Sequence, residues 1–126
     1  MNNSEHHLQV ACVNWFRMQY PKYSKLLFAI PNGGKRHMKT ARDMKREGVQ
    51  KGVPDLMLAV WYCLRHEITG EITELKCGLF IEMKSATGRL TPEQKDYLAL
   101  LKKQGYATAV CKSFDEFKAT IENYLG

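Results

Sequence analysis

Two periodicities of apolar residues divide this chain into four predicted helices and four predicted strands. Apolar positions that recur every three or four residues, as at Leu8, Cys12, Trp15 and Phe16, predict an amphipathic helix. Short apolar runs bounded by Gly, Pro and polar residues predict strands. The predicted helices cover residues 4–19, a basic stretch that ends near residue 47, residues 91–104 and residues 113–125; the predicted strands cover residues 26–30, 55–64, 77–84 and 107–111.

The order of these elements is α-β-α-β-β-α-β-α. It predicts one α/β domain over residues 1–126, with a mixed central β-sheet flanked by helices. A chain of 126 residues is long enough for one hydrophobic core and too short for two. Between the second and third predicted strands, residues 65–76 contain Thr69-Gly70-Glu71, which is typical of a hairpin turn.

Two of the predicted strands carry charged residues within apolar runs. Asp55 follows Gly52-Val53-Pro54 at the start of one strand, and Glu82 and Lys84 lie two residues apart on the next. Because side chains alternate between the faces of a strand, Glu82 and Lys84 point the same way. A charged pair on an apolar strand is costly without a partner or a metal ion. An Asp, a Glu and a Lys in this order therefore indicate a metal site that cleaves phosphodiesters.

Each part of this motif also has a purely structural interpretation. A Glu-x-Lys pair on a strand is often a solvated ion pair of little energetic value, and Pro54-Asp55 is also a common turn sequence. The functional interpretation rests on the order of the three charged residues and on their strand context.

The net charge of +6 is concentrated in one segment. Residues 35–51 contain seven basic and two acidic residues, which give that segment a charge of +5. Four of the basic residues, here called the basic stripe, have the spacing of one helix face, which favours contact with a polyanion over a merely solvated surface. The basic stripe consists of Lys35, Lys39, Arg42 and Arg46, and the predicted DNA-binding residues also include Arg36 and Lys51.

The four cysteines form no C-x-x-C pair and show no metal-ligand spacing with the histidines. Cys12, Cys63, Cys77 and Cys111 are therefore predicted to be buried free thiols in a reducing cytosol. No apolar run reaches the roughly 20 residues that span a bilayer, and the N-terminus lacks the pattern of a signal peptide. We expect a cytoplasmic protein that is neither secreted nor bound to a membrane.

These motifs resemble those of the VRR-NUC domain, a branch of the PD-(D/E)xK nuclease superfamily. The resemblance covers nearly the whole chain. The matching residues are Glu5 with Gln9, Ile30-Pro31-Asn32-Gly33-Gly34, Gly48, Gly52-Val53-Pro54-Asp55-Leu56, Gly78-Leu79-Phe80-Ile81-Glu82-Met83-Lys84, Gly88-Arg89-Leu90, Gln94 and Gly105-Tyr106. The resemblance implies a restriction-endonuclease-like fold and a DNA endonuclease that depends on Mg²⁺ or Mn²⁺. It further implies branched DNA, such as a four-way junction, as the substrate, and a homodimer.

The resemblance also implies roles for individual residues. The metal ligands would be Asp55, Glu82, Glu5 and the main-chain carbonyl of Met83. Lys84 would orient or deprotonate the attacking water and steady the phosphate charge; alternatively, it only balances the charge of Glu82.

Three of the implied assignments have structural alternatives that the sequence leaves open. Gln94 belongs to the site by resemblance, but it is also the N3 residue of the capping box Thr91-Pro92-Glu93-Gln94. Glu5 is either a site residue or an exposed acid favoured by the helix dipole. Asn32 and Gly33, with Gly34, either bring backbone N–H groups close to phosphate or form a simple turn.

Two other functions compete with the nuclease. One is a nucleic-acid-binding module of the same fold with weak or no catalysis, and the other is a structural subunit whose basic stripe binds protein. The presence of Asp55, Glu82 and Lys84 together favours the enzyme. For the homodimer, the first helix and residues 65–76 are the candidate surfaces, and neither shows a decisive apolar patch in the sequence.

Overall fold

A computed structural model describes residues 3–31 and 41–126. This part of the chain forms four α-helices and six β-strands, and a 3₁₀ helix, Pro21–Leu26, leads into the first strand. The elements are α1 (Asn3–Gln19), β1 (Leu27–Ala29), α2 (Ala41–Arg46), β2 (Leu56–Leu58), β3 (Tyr62–Arg65), β4 (Ile72–Lys76), β5 (Leu79–Met83), α3 (Pro92–Lys103), β6 (Ala107–Cys111) and α4 (Phe114–Leu125). The predicted α/β class is confirmed.

A mixed four-stranded sheet forms the centre of the domain, in the order β1-β2-β5-β6. The pairs β1–β2 and β2–β5 are antiparallel, whereas β5 and β6 are parallel and are joined by α3. A parallel pair needs such a crossover because a tight turn cannot return the chain to the same end of the sheet. The position of β1 at the edge leaves it with β2 as its single strand partner among the described residues.

The hydrophobic core lies between one face of this sheet and the helices α1 and α4. Alternate residues of β5, Leu79, Ile81 and Met83, face this core and are at most 2% exposed. Phe16 of α1 and Phe117 of α4 are fully buried against them. The two residues of β5 that alternate with these three core residues therefore face the opposite side of the sheet, as the alternation predicts.

The single predicted strand over residues 55–64 is wrong. The chain leaves the central sheet after β2, and β3 pairs with β4 in a separate two-stranded hairpin. The carbonyl of Val60 accepts a hydrogen bond from the hydroxyl of Tyr124 at 2.5 Å, so α4 satisfies it there in place of a neighbouring strand. A continuous apolar run carries no local signal for such a break. The sequence does not predict strand β4, because the residues on either side of the turn in residues 65–76 are largely polar.

The hairpin, residues 61–76, turns where the sequence predicts. The amide of His66 donates to the carbonyl of Glu71 at 2.8 Å, and Gly70 has a positive φ of 74°. The hairpin exposes five large apolar side chains, each between 50% and 90% accessible, and three of them lie within residues 65–76. These side chains are Trp61, Leu64, Ile68, Ile72 and Leu75.

The cysteines are all free, as predicted, but they are not all buried. Cys12 and Cys111 lie in the core, and burial raises the pKa of the Cys12 thiol to about 12. Cys63 is half-buried, and Cys77 is exposed because it lies outside the central sheet, between β4 and β5. The prediction of burial is therefore wrong for Cys77.

Within the described part of the chain, no helix is both long enough and apolar enough to cross a membrane.

Candidate active site

The loop before β2 holds Asp55 in place by packing against the start of α3. Gly52 has a positive φ of 90°, and a Cβ atom at this position would lie 2.6 Å from the main-chain oxygen of Glu93. Only glycine allows the two backbones to approach this closely. Val53 and Pro54 are buried behind it. The glycine of the Gly-Val-Pro-Asp motif is therefore needed for the position of the loop.

Asp55 lies beside β5, on the sheet face that points away from the core. Because β2 pairs Leu56 with Ile81, Asp55 and Glu82 fall next to each other across the two strands. The Oδ2 atom of Asp55 accepts a hydrogen bond from the amide of Met83 at 2.7 Å. The structure thus brings together the two carboxylates that the sequence pairs only by their order, and it places the main chain of Met83 beside them.

The carboxyl group of Glu82 is buried with one oxygen unsatisfied. Glu82 is 3% exposed, and its Oε2 atom accepts a hydrogen bond from Nε2 of Gln94 at 3.3 Å. Its Oε1 atom is buried and has no hydrogen-bond partner among the described residues. Burial first, and then the neighbouring Asp55, raise the pKa of Glu82, and the charge of Lys84 acts in the opposite direction; the net result is a pKa of about 9.

This carboxylate pair fits a hard divalent cation. A buried polar atom without a partner is rare and costly in proteins, and Mg²⁺ and Mn²⁺ prefer oxygen ligands. Over residues 3–31 and 41–126, no three His, Cys, Asp or Glu side chains converge as a metal cluster. A cation at this place would therefore rely on main-chain oxygen and water to complete its ligands, as Mg²⁺ commonly does.

Lys84 lies on the same face of the sheet as Glu82, as the two-residue spacing predicts. Its Nζ atom is 3.8 Å from Oε2 of Glu82, and its side chain is 12% exposed. The pair is therefore not the solvated ion pair of the structural alternative. The largely buried ammonium group of Lys84 therefore lies beside the carboxyl group of Glu82.

Gln94 forms the helix cap and also contacts Glu82. Its amide oxygen accepts a hydrogen bond from the backbone of Thr91 at 2.9 Å, which completes the capping box of α3. Its amide nitrogen donates to Glu82. One side chain therefore links the start of α3 to the carboxyl group of Glu82, and the helix cap orients that group.

Glu5 reaches the end of β5 from the first turns of α1. Its Oε1 atom accepts a hydrogen bond from the amide of Ser85 at 3.3 Å, and the Glu5 side chain is half-buried. Its charge is one of those that raise the pKa of Glu82. Glu5 is therefore not a solvated acid at a helix end, and it acts on Glu82 through its charge without converging with Glu82 and Asp55 as a cluster among the described residues. Ser85 was not predicted, although it directly follows Lys84.

Most of the predicted DNA-binding residues lie outside the described residues: Asn32, Gly33, Gly34, Lys35, Arg36 and Lys39. Arg42 and Arg46, the described half of the basic stripe, are exposed on α2, whose buried residue is Met44. Lys51 is exposed and lies 3.4 Å from the carboxylate of Glu93. The C-cap at Gly48 is confirmed by its positive φ of 100°.

The α/β fold is that of a nuclease-type domain. The family model that describes the VRR-NUC domain matches residues 2–115. The chain belongs to the VRR-NUC domain family. A solved structure described as a "VRR_NUC domain protein" is similar to it at 27% sequence identity, with a TM-score of 0.75, over 99% of this chain and 90% of the other. No curated protein sequence matches.

Proposed function

We propose that this protein is a DNA endonuclease that hydrolyses phosphodiester bonds with Mg²⁺ or Mn²⁺. Its family consists of nuclease-type domains. The observation that carries the proposal is the buried, unpartnered oxygen of Glu82 next to Asp55, within reach of a lysine. A carboxyl group buried in this way destabilises the fold unless it binds something, and a divalent cation is the ligand that its chemistry suits.

The ligands of the cation would be Asp55, Glu82 and the carbonyl of Met83. Glu5 would join them once its side chain turns toward the cation, since the three carboxyl groups do not already converge among the described residues. A divalent ion held by these oxygens would supply Lewis acidity for the phosphate, a lowered pKa for a bound water and charge stabilisation for the leaving oxygen. Lys84 orients the water or neutralises charge that develops on the phosphate. The remaining contacts keep the ligands rigid, because the amide of Met83 fixes Asp55 and the side chain of Gln94 fixes Glu82.

The substrate that we propose is branched DNA, such as a four-way junction, cleaved by a homodimer. A junction that is cut symmetrically needs two active sites related by a two-fold axis, and one chain supplies one site. The exposed apolar side chains of the hairpin would give a second copy apolar area to bury. DNA as the substrate also agrees with a cytoplasmic location.

A cleavage assay on labelled DNA tests the proposal. Linear duplex, hairpin, flap and four-way junction are incubated with Mg²⁺, Mn²⁺ or EDTA, and the products are separated on a denaturing gel. We expect cleavage with either metal, no cleavage in EDTA or with the variant Asp55→Asn, and the fastest cleavage on the junction.

Each other outcome of this assay has a defined meaning. Binding without cleavage of any DNA would favour a binding module. Absence of both binding and cleavage would point to a structural subunit. Cleavage that persists in EDTA would contradict the assigned metal site.

A further inference from the structure

The strand β6 forms one edge of the central sheet, and no strand of the described chain pairs with its outer side. Its five residues, 107–111, include no charged residue and no proline, and they pair with β5 without a bulge. Edge strands are usually protected from further pairing by charges, proline, a bulge or short length, and β1 at the other edge has only three residues. The strand β6 therefore has the composition of an inner strand in an edge position.

Two residues of β6 direct their main-chain groups toward this open edge. The amide of Ala107 donates to the carbonyl of Gly78 at 2.8 Å, so Ala107 and the residues that alternate with it bond to β5. The N–H and C=O groups of Thr108 and Val110 point to the other side, because adjacent residues of a strand direct their main-chain groups in opposite directions. The structure shows no hydrogen bond to these groups from any described residue.

The open edge is bounded at both ends by hydrogen bonds within the domain. Before the strand, the amide of Tyr106 donates to the carbonyl of Leu101 at 3.2 Å. After the strand, the amide of Lys112 donates to a carboxylate oxygen of Glu116 at 2.9 Å. The main-chain groups that stay open are therefore those of the two residues named above, a length that suits one short extended segment.

A groove of about 420 Å³ runs between β6 and α3 and reaches this edge. Three consecutive residues of β6, 108–110, line it. Since neighbours in a strand face opposite sides of the sheet, a groove that contacts all three extends to the edge of the strand. No residue of the carboxylate site lines the groove, so an occupant would leave that site open.

The walls of the groove combine apolar side chains with two lysines. Lys95 and Lys102 lie on one face of α3, about 10 Å apart along its axis. Neither lysine forms an ion pair with a described residue, and no lining residue is a carboxylate. The lining residues on which the argument depends are Leu90, Lys95, Leu98, Ala99, Lys102 and Val110.

The lysines and the open edge together select the occupant. A second copy that paired its β6 antiparallel to this one would place both α3 helices on one face and bring their lysines together, which is repulsive. A DNA duplex has no extended peptide main chain to pair with the edge of a strand. An extended peptide with acidic side chains satisfies the main-chain groups and the charge of the groove at once.

We propose that the open edge of β6 binds an extended peptide of a partner protein, rich in acidic and apolar residues, as a fifth strand of the central sheet. The main chain of the peptide pairs with Thr108 and Val110. Two acidic side chains meet Lys95 and Lys102, and an apolar side chain between them packs on Leu98. Acidic residues four positions apart on one face of a strand are separated by about 14 Å, which the flexible lysine side chains can reach. This binding function is separate from the proposed nuclease activity.

A titration followed by NMR tests the proposal without cleavage. The ¹⁵N-labelled protein in EDTA is titrated with the capped peptide Thr-Glu-Thr-Val-Thr-Glu-Thr. We expect saturable shifts of the amides of Thr108 and Val110 that exceed the shift of Ala109, whose amide faces β5. Replacing Lys95 and Lys102 together by glutamine should weaken binding roughly tenfold, the product of two exposed ion pairs of about threefold each. Lys103→Gln is the matched control, because Lys103 is exposed on the same helix outside the groove.

Pairing through the main chain is tested on both partners. Two versions of the peptide are N-methylated, one at its second, fourth and sixth residues and the other at its third and fifth residues. Because one edge of the peptide faces β6, we expect one version to lose binding and the other to keep it. Thr108→Pro should fold and bind no peptide, since proline is tolerated where an edge N–H faces away from the sheet. Circular dichroism checks the fold; if this variant unfolds, the methylated peptides make the same test on the wild type.

The proposal would be overturned if no saturable shift occurred, if the shifts mapped away from β6 and α3, or if the two methylated peptides bound equally. Displacement of the peptide by a short DNA duplex would assign the groove to DNA instead. Shifts of Thr108 and Val110 that depend on protein concentration without peptide would assign the edge to a second copy. Each of these results would leave the proposed nuclease function standing, because that function is measured by cleavage.

Discussion

Replacing Glu82 by glutamine should stabilise the metal-free protein. Glutamine has nearly the same shape and keeps an oxygen that can accept the hydrogen bond from Gln94. It removes the ionisable group whose pKa is raised in the folded state from 4.5 to about 9. The difference in the free energy of unfolding between this variant and the wild type therefore measures how far the buried carboxyl group destabilises the fold.

The size and sign of the effect follow from that pKa. Below about pH 4.5, Glu82 is protonated in both the folded and the unfolded state, so it does not make the free energy of unfolding depend on pH. Between pH 4.5 and pH 9 the unfolded chain releases the proton while the folded protein keeps it, so stability falls as the pH rises. At about 1.4 kcal/mol per pH unit, the free energy of unfolding is lowered by about 3 kcal/mol at pH 7.

Thermal unfolding in EDTA, followed by circular dichroism from pH 4.5 to pH 9, measures this difference. We expect Glu82→Gln to melt close to the wild type at pH 4.5 and roughly 10 °C higher at pH 7. Glu122→Gln is the matched control, because Glu122 is exposed on α4, far from the site in sequence. Added Mn²⁺ should raise the melting temperature of the wild type and have less effect on the variant, since metal binding stabilises only a fold that contains the site.

The reasoning would be refuted by a difference in melting temperature between wild type and Glu82→Gln that does not change with pH. It would also be refuted if the variant were less stable than the wild type at pH 8 in EDTA, because the carboxylate would then contribute stability without a metal ion.

Four further predictions concern the site, the basic stripe and the assembly. Asp55→Asn should lose most of its Mn²⁺ affinity, since it removes one of two adjacent carboxylate charges; titration calorimetry that shows equal binding would contradict the site. Lys84→Met should bind Mn²⁺ as the wild type does and lose turnover, because a charged lysine has no lone pair for a metal; single-turnover cleavage at the normal rate would show that Lys84 has no role in the chemistry. Reversing the charges of Arg42 and Arg46 should weaken binding of duplex DNA and lower the salt slope by roughly 1 for each lost contact, and an unchanged slope would assign this face to solvent. Light scattering should give about twice the 14.5 kDa of one chain, and a monomer mass that stays unchanged on adding junction DNA would exclude the paired-site mechanism.

Local features of the sequence account for much of the fold. The N-terminal starts of α3 and α4 follow from their N-cap residues, Thr91 and Ser113. The side chains of these residues accept hydrogen bonds from backbone amides within the first turn. The common face of Glu82 and Lys84 follows from the alternation of β5. These predictions succeed because the interactions that determine them lie within a few residues of each other in the chain.

The paths of the strands between residues 55 and 76 were decided by tertiary contacts. Nothing in the apolar run from β2 to β3 distinguishes one long strand from two short ones. The break depends on Tyr124, which lies 64 residues after Val60 in the chain and satisfies its carbonyl. The exposure of the apolar side chains of the hairpin likewise depends on the tertiary structure, because no other described element packs over them.

The chemical state of the site was also decided by the tertiary structure. The sequence identifies Asp55, Glu82 and Lys84 as a set, but it cannot show that Gln94 serves the helix cap and Glu82 at once. It cannot show either that Glu5 reaches Ser85, 80 residues away. The burial that raises the pKa of Glu82 is produced by β2, β5 and α3 together. The charges and the spacing of apolar residues are properties of the sequence. The desolvation of the Glu82 carboxyl group depends on elements that only the folded chain brings together.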